Sequence, residues 1–333
     1  MRPLTRLSPF YSGQPGVHGS SVPRGIRSDS AGIVLYVNPD ANDNSDAHDG
    51  VDPERPMTTI QGAVTKLVAH QTALGWDMRG SQIVCSGLAY DEAVTIPVTL
   101  SDCSLIGAGS SYNLPTWAST GDAATPCLQV NGEGWVIEGF HFNPPAEAAG
   151  IRLDWVPATQ MANETVIRGN MFNGAYTGRF GIEHNGSPFN VHVLNNWFVE
   201  MNNAGAATAF CIWCSGSSEA DPYMWEIVGN RFSDSDNYIG SLNSDYGFNG
   251  SLIADNFFEE GLPGQIVVTT YLDLRGGSIG YNTVTRNFFG GTYSQAGGYY
   301  ANALTPDSCW VGNTAETTPA TVADNGITVQ VPA

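Results

Sequence analysis

Hydrophobic and polar residues follow two rhythms along this chain, and the first is confined to one place. Over residues 59–74 (TIQGAVTKLVAHQTAL), Ile60, Ala63, Val64, Leu67 and Val68 return every three or four positions, the period of one helix face. Thr58 and Gln61 stand at capping-box spacing ahead of it, and Gly75 follows as a stop. The pattern predicts a single amphipathic helix. Elsewhere apolar residues come in runs of strand length, starting with IVLYVNP from Ile33, and are broken by Gly, Asn, Asp and Ser.

The second rhythm is a repeat. WVIEGFHF, TVIRGNMF, HVLNNWF, EIVGNRF, LIADNFF, TVTRNFF and CWVGNTA share one frame. Its apolar position is held by Ile137, Ile167, Val193, Ile227, Ile253, Val284 and Trp310. Three residues on stand Phe140, Asn170, Asn196, Asn230, Asn256, Asn287 and Asn313. Two further on come Phe142, Phe172, Phe198, Phe232, Phe258 and Phe289, with Ala315 closing the series. Successive Asn-equivalent positions are 30, 26, 34, 26, 31 and 26 residues apart.

The apolar residue and the Phe are five apart, so on one straight strand they point to opposite faces. A bend between them restores a common interior. Asn, the non-glycine residue most at ease in the left-handed region, is the expected place for that bend. Gly139, Gly169, Gly229 and Gly312 just before it suit a tight corner. Each period is therefore strand, corner, strand and variable loop, with no helix long enough for a crossover. Coils of this kind stack into a solenoid in which Ile, Asn and Phe form ladders at the strand spacing of about 4.8 Å. A propeller needs four strands and roughly 40–50 residues per blade, and its Gly-His and Trp-Asp marks are missing. The expected fold class is all-β: a parallel β-helix with a helix covering its open N-terminal end.

LYVNPDANDNSDAHDGVDPERPMTTIQGAV, then YDEAVTIP, SLIGAG and the GNxF units resemble the right-handed parallel β-helix proteins of the pectin-lyase-like superfamily, from about Ile33 to Asn313. The resemblance implies architecture more than activity, since that superfamily holds polysaccharide lyases, glycoside hydrolases, virus tailspikes and proteins without catalysis. The domain reading is an extended basic arm over 1–31, an opening strand, Asp-rich loop and capping helix over 32–80, a β-helix over 81–315 and a tail strand over 316–333.

Composition sharpens this picture. With 42% hydrophobic but only 14% charged residues, 39 Gly and 19 Pro, the 333-residue chain is neither disordered nor all-helical. The net charge of −19 disfavours nucleic acid as a partner, and no apolar run reaches membrane-spanning length. The N-terminus has basic residues but no hydrophobic stretch after them, so neither signal peptide nor membrane segment is expected. The charge is also uneven. Residues 1–31 hold Arg2, Arg6, Arg24 and Arg27 against Asp29, a net +3, and the rest of the chain holds nine basic and 31 acidic residues, a net −22. An arm with so few apolar residues builds no core of its own and reads as a docking arm or a leader. Six scattered cysteines in apolar contexts suit buried free thiols.

Candidate chemistry is sparse. Asp40, Asp43, Asp46, Asp49 and Asp52 fall every three residues in DANDNSDAHDGVD; the first four are calcium candidates, but the spacing lacks the alternation and distal Glu of a helix–loop–helix calcium loop, and a solvated loop is the preferred reading. Paired carboxylates on neighbouring coils are what a sugar-cleaving β-helix requires. Asp234 and Asp236 follow one corner, Glu259 and Glu260 follow the next, and Glu200 the one before, with Asp234 and Glu260 each four residues past their Asn. Arg152, Arg168 and Arg179 read as spread over separate strands and loops, with no arginine cluster facing an acidic pocket. The motifs of polygalacturonase-like and lyase-type relatives are missing. Cys211 and Cys214, three apart on a strand-like run, are expected to face opposite sides, and with the six histidines they compose no ligand set, so no cofactor is expected. Tyr176, Trp197, Tyr238, Tyr246, Tyr281, Tyr299 and Tyr300 are loop aromatics suited to sugars or to an interface.

A basic arm, a β-helix and buried thiols together resemble a bacteriophage virion protein. The expectation is a non-catalytic capsid decoration or head-fibre protein on the particle exterior, a homotrimer bound through its arm to the major capsid protein. Alternatives are a tailspike or depolymerase-type enzyme cutting a host glycan, and a glycan-binding adhesin.

Overall fold

Parallel strands account for nearly all of the regular structure in the computed structural model, which describes residues 32–330 apart from 76, 110–112, 120–122, 157–159, 187, 203–208, 215–221, 242–246, 260–269, 275–280, 291–308 and 316–328. The basic arm lies outside the described residues. Three sheets run along the chain. The first has ten strands, from Val34–Val37 to Cys309–Val311, and the second has ten, from Ala89–Asp91 to Val329–Gln330. The third has eight, from Val94–Ile96 to Thr270–Asp273, including Gln160–Met161, which pairs antiparallel with the end of Ala149–Val156. One period visits them in turn: Val136–Glu138, a corner, His141–Asn143, Ala149–Val156, then Val166–Arg168 back on the first sheet. This is the parallel β-solenoid that the repeat predicts.

The three repeated positions form ladders. On the first sheet Leu105, Ile137, Ile167, Val193, Ile227, Ile253 and Val284 are mutual register partners and fully buried. On the second sheet the rings of Phe142, Phe172, Phe198, Phe232, Phe258 and Phe289 stack with centroids 4.7–5.1 Å apart and planes within 12°. Trp117 extends that stack, 5.3 Å from Phe142. The rings press so closely on the third sheet that a Cβ on Gly181 would stand 2.8 Å from the Phe198 ring.

The corner departs from expectation in its detail. The left-handed residue is the one before the Asn: Gly139, Gly169, Asn195, Gly229, Asp255, Arg286 and Gly312 have φ between 54° and 81°. The Asn instead turns its amide inward. Each Nδ2 donates to a backbone carbonyl of the preceding coil at 2.8–3.0 Å. Between successive rungs from Asn170 to Asn313, Nδ2 also donates to the next Asn Oδ1 at 2.9–3.2 Å, and that Oδ1 accepts the preceding Asn's backbone N–H. Phe140, which replaces Asn on its rung, gives its N–H to Asn170. A tight corner leaves backbone groups without ladder partners, and a buried amide satisfies them from inside.

The helix spans Ile60–Leu74, with Ile60, Ala63, Val64 and Leu67 buried and Gly75 left-handed at its end. It packs on Val34–Val37, Gln82–Cys85 and Val94–Ile96, at the N-terminal end of the solenoid. The expected Thr58–Gln61 box is not how it starts. Thr59 is the N-cap, accepting from the Gly62 N–H, while the Glu92 carboxylate accepts from the N–H groups of Ile60 and Gln61 at 2.7 and 3.0 Å. A carboxylate from the first coil thus fills the place of a local capping side chain and ties the helix to the sheet it covers. Gln61 is left to accept the Thr95 N–H.

The cysteines Cys85, Cys103, Cys127, Cys211 and Cys214 are buried free thiols, whereas Cys309 is exposed. Cys211 and Cys214 both lie in the main core, contrary to the expected opposite faces. Phe210 and Trp213 of the same strand belong to an outer cluster, so Cys211 and Ile212 face inward in succession and the strand changes parity there. Among the described residues no helix is long and apolar enough to cross a membrane.

Candidate functional site on the third sheet

On the six coils from Val136–Glu138 to Thr283–Thr285 the corner between the first and second sheets is two residues long. The connections into the third sheet (144–148, 174–179, 200–209) and out of it (157–165, 186–191, 215–225) are longer and of unequal length. The third sheet is therefore the one whose strands are joined to the next by segments of varied length in sequence, the usual setting for binding residues on a rigid scaffold.

Strand register brings a polar cluster together on this face. Gln129 is opposite Arg152, Arg152 opposite Glu183, Glu183 opposite Trp213, and Asp154 opposite Asn185. Arg152 Nε lies 2.7 Å from Glu183 Oε2. Gln129 Nε2 donates to Asp154 Oδ2 at 2.9 Å, and Asn185 Nδ2 donates to Asp154 Oδ1 at 2.8 Å, so each carboxylate oxygen accepts an amide. Arg179 closes the cluster, its guanidinium 4.8 Å from the Phe180 ring centroid and 5.9 Å from Trp213, while those two rings stack at 4.0 Å. Ala149, Phe180 and Phe210 form a small apolar cluster of their own beside the half-buried Trp213.

Glu183 is the unusual member. Its side chain is 7% exposed although it points away from the solenoid interior. Burial pushes its carboxyl above the usual range; the Arg152 guanidinium pulls the other way without cancelling that effect, and Asp154 adds to the rise. A buried carboxyl that holds its proton more tightly, next to a second carboxylate fixed by two amides, is an arrangement able to donate and accept protons on neighbouring coils.

The arginines expected to be scattered are therefore partly gathered: Arg152 and Arg179 both flank Glu183. Arg168 stands apart, paired with Glu138 on the outer face of the first sheet. Parallel register joins residues about 30 apart in sequence, which linear inspection does not see. A signal was present nonetheless. Gly150-Ile-Arg-Leu-Asp154 and Gly181-Ile-Glu-His-Asn185 share a Gly-Ile start and place polar residues at every second position beyond it.

The carboxylates singled out by sequence lie elsewhere, past the end of the second sheet. Asp234 is left-handed (φ 47°), and Glu259 pairs with Arg231 at 2.8 Å. Asp236 is half-buried, and burial raises its carboxyl to about 6. Glu260 lies outside the described residues. The Asp-rich loop is held by its own carboxylates. Asp46 accepts the N–H groups of Thr58 and Thr59, Asp40 accepts that of Leu88, Asp49 that of Val51, and Asp43 is 3.5 Å from both His48 and Arg55. Among the described residues no three His, Cys, Asp or Glu side chains are grouped to hold a metal ion. Arg2, Arg6, Arg24 and Arg27 lie outside the described residues.

Of the expected loop aromatics, Tyr238 is instead fully buried, stacked 5.2 Å from Tyr271 inside the solenoid. Trp197 belongs to a second-sheet strand, Tyr176 and Tyr281 are exposed, and Tyr246, Tyr299 and Tyr300 lie outside the described residues. His184 and Cys214 meet in the core with Nδ1 and Sγ 3.6 Å apart, and burial lowers the imidazole to about 3, which suits packing. A polar groove of about 420 Å³ at the helix C-terminus, lined by Gln71, Asp77, Arg79 and Thr99, sits at the capped end and contains none of the third-sheet cluster.

No family model and no curated protein matches this sequence. Among solved structures, the chain is similar to an alginate lyase from Paenibacillus sp. str. FPU-7, with a TM-score of 0.55 and 16% identity over 71% of this chain and 78% of that one. At that identity the likeness establishes the shared β-helix fold and leaves the site to be argued from its own residues.

Proposed function

We propose that the protein acts on a polysaccharide laid across the outer face of the third sheet, with Glu183 as general acid and Asp154 as general base of glycosidic hydrolysis. The observation that carries this reading is the buried Glu183, paired with Arg152 and set diagonally across one strand pair from the doubly held Asp154. Inverting hydrolysis needs two carboxyls roughly 6.5–9.5 Å apart, which leaves room for the attacking water between them. Glu183 gives its proton to the leaving glycosidic oxygen as the C–O bond breaks. The water oxygen bonds to the anomeric carbon, and its proton passes to Asp154. Arg152 positions Glu183, and Trp213 supplies an apolar wall. A structural neighbour that is by name an alginate lyase adds support for a polysaccharide as substrate.

The test is incubation of the full chain with a panel of neutral and acidic polysaccharides, following reducing ends and unsaturated uronate absorbance separately. The expected result is new reducing ends without unsaturation, falling by about 100-fold or more in Glu183→Gln and unchanged in Glu138→Gln. Unsaturated products would replace hydrolysis by elimination. Saturable binding without product, lost in Trp213→Ala, would reduce the site to an adhesin.

A place on the exterior of a bacteriophage particle is a second reading, favoured by the division of charge between a +3 arm and a −22 remainder. In it Arg2, Arg6, Arg24 and Arg27 reach an acidic patch on the major capsid protein. Mass spectrometry of purified particles tests it: a copy number near that of the shell protein indicates decoration, a far smaller one a tail or vertex location, and absence from particles ends the reading.

A further inference from the structure

The outer face of the second sheet carries a column that the polysaccharide reading does not use. Met171, Trp197, Arg231, Phe257 and Phe288 are successive register partners pointing away from the Phe ladder. Trp197 and Phe257 are each 40% exposed, and the Arg231 side chain is 52% exposed. These groups stack on one another along the solenoid. Phe257 and Phe288 have centroids 4.8 Å apart and planes 10° from parallel. The Arg231 guanidinium lies 5.2 Å from the Trp197 centroid and 5.9 Å from Phe257. Ring faces are therefore taken up by neighbours and ring edges point outward. A sugar stacks on a π face and finds these covered; an apolar protein surface packs well against ring edges.

Charge identifies the occupant. The chain beyond its arm carries −22, so contact between two copies through their acidic segments is opposed by like-charge repulsion. Among the described residues the charges beside the column itself are Arg231 and Glu259, 2.8 Å apart, so the column is neutral, with Glu200 and Asp234 at its rim one residue past their strands. A neutral apolar stripe on an acidic body is the surface on which a second copy meets the least repulsion, and an isologous contact needs one self-complementary patch. We propose that the chain self-associates through this stripe, the column from Trp197 to Phe288 of one copy lying against the same column of another. Arg231 and Glu259 then exchange partners across the contact.

The four rungs from Trp197 to Phe288, at about 4.8 Å each, make a stripe only about 14 Å long. That is short for the roughly 800 Å² per partner of a tight complex, so the association is weak, with a dissociation constant on the order of micromolar.

Sedimentation velocity of the full chain from about 0.1 to 100 μM reads this directly. The expected result is a reversible shift from monomer to oligomer, strengthened by salt, which screens the bodies from each other. Phe257→Glu should weaken it at least tenfold while leaving the circular dichroism melt in place. Crosslinking locates the contact independently: a bismaleimide should join copies of a Phe257→Cys variant, with the exposed native Cys309 on the first sheet as internal reference. A monomer at every concentration, an oligomer indifferent to Phe257→Glu, or crosslinks through Cys309 alone would each overturn the proposal.

Discussion

Two Arg–Glu pairs, one on the first sheet and one on the third, have the same chemistry and different surroundings. Arg168–Glu138 and Arg152–Glu183 each join adjacent rungs on an outer face, and the two arginines are almost equally exposed, at 25% and 24%. The glutamates differ, at 28% and 7%. The first-sheet pair stands beside a two-residue corner, where water reaches the carboxylate and the pair contributes little beyond a rung-to-rung tie. The third-sheet pair stands on strands with longer connections and beside stacked Phe180 and Trp213, where burial raises the carboxyl. Surroundings rather than residue type turn a solenoid staple into a candidate acid.

The same contrast separates interior from exterior, and substitutions should rank accordingly. The largest loss is expected for Phe232→Ala, which opens a gap between the rings of Phe198 and Phe258; about 3–5 kcal/mol should be lost in denaturant unfolding. Asn230→Ala should cost about 3 kcal/mol, because it leaves the Asn196 N–H and the Val193 carbonyl without their buried partner. Glu92→Ala removes the acceptor of two helix N-terminal N–H groups. It should cost about 1–2 kcal/mol and loosen the helix before the coils, a sequence that hydrogen exchange resolves.

The smallest effect carries a pH signature. Asp236 holds its proton up to about 6, above the ordinary aspartate value, so the folded state binds that proton more tightly than the unfolded one. Its contribution to stability therefore rises as pH falls from 7 towards 4 and is lost as pH climbs through 6. Asp236→Asn should stabilise the protein by about 1 kcal/mol above pH 7, a figure reduced for the solvent that reaches a half-buried group, and change nothing near pH 3. Melting curves across that range check both the sign and the window.

The ladders were legible in the sequence because one constraint recurs on every coil. Ile, Asn and Phe keep fixed offsets across the two-residue corner, and a stack of coils was the arrangement that used all three. The corner itself was misplaced by one residue. Asn195, Asp255 and Arg286 carry the left-handed turn without being glycine, and the Asn earns its position by hydrogen bonding inward.

The third-sheet cluster was illegible for the opposite reason. Inward residues Ile151, Ile182, Ile212 and Ile239 precede their next corner Asn by 19, 14, 18 and 17 residues. No constant offset aligns that sheet, so Arg152, Asp154, Glu183 and Asn185 come together only once register is known. Sequence pointed instead to Asp234 and Glu260, each four residues past its corner Asn and therefore easy to number. Constancy of spacing marked what holds the fold, while the candidate site lies where spacing varies.

The most direct measurement compares the two glutamates in one assay: product release from a polysaccharide panel by the full chain, by Glu183→Gln and by Glu138→Gln, each first shown to melt like the parent. Release abolished by Glu183→Gln and retained by Glu138→Gln is the predicted result. Equal activity in all three proteins would contradict the assignment of the acid to the third sheet.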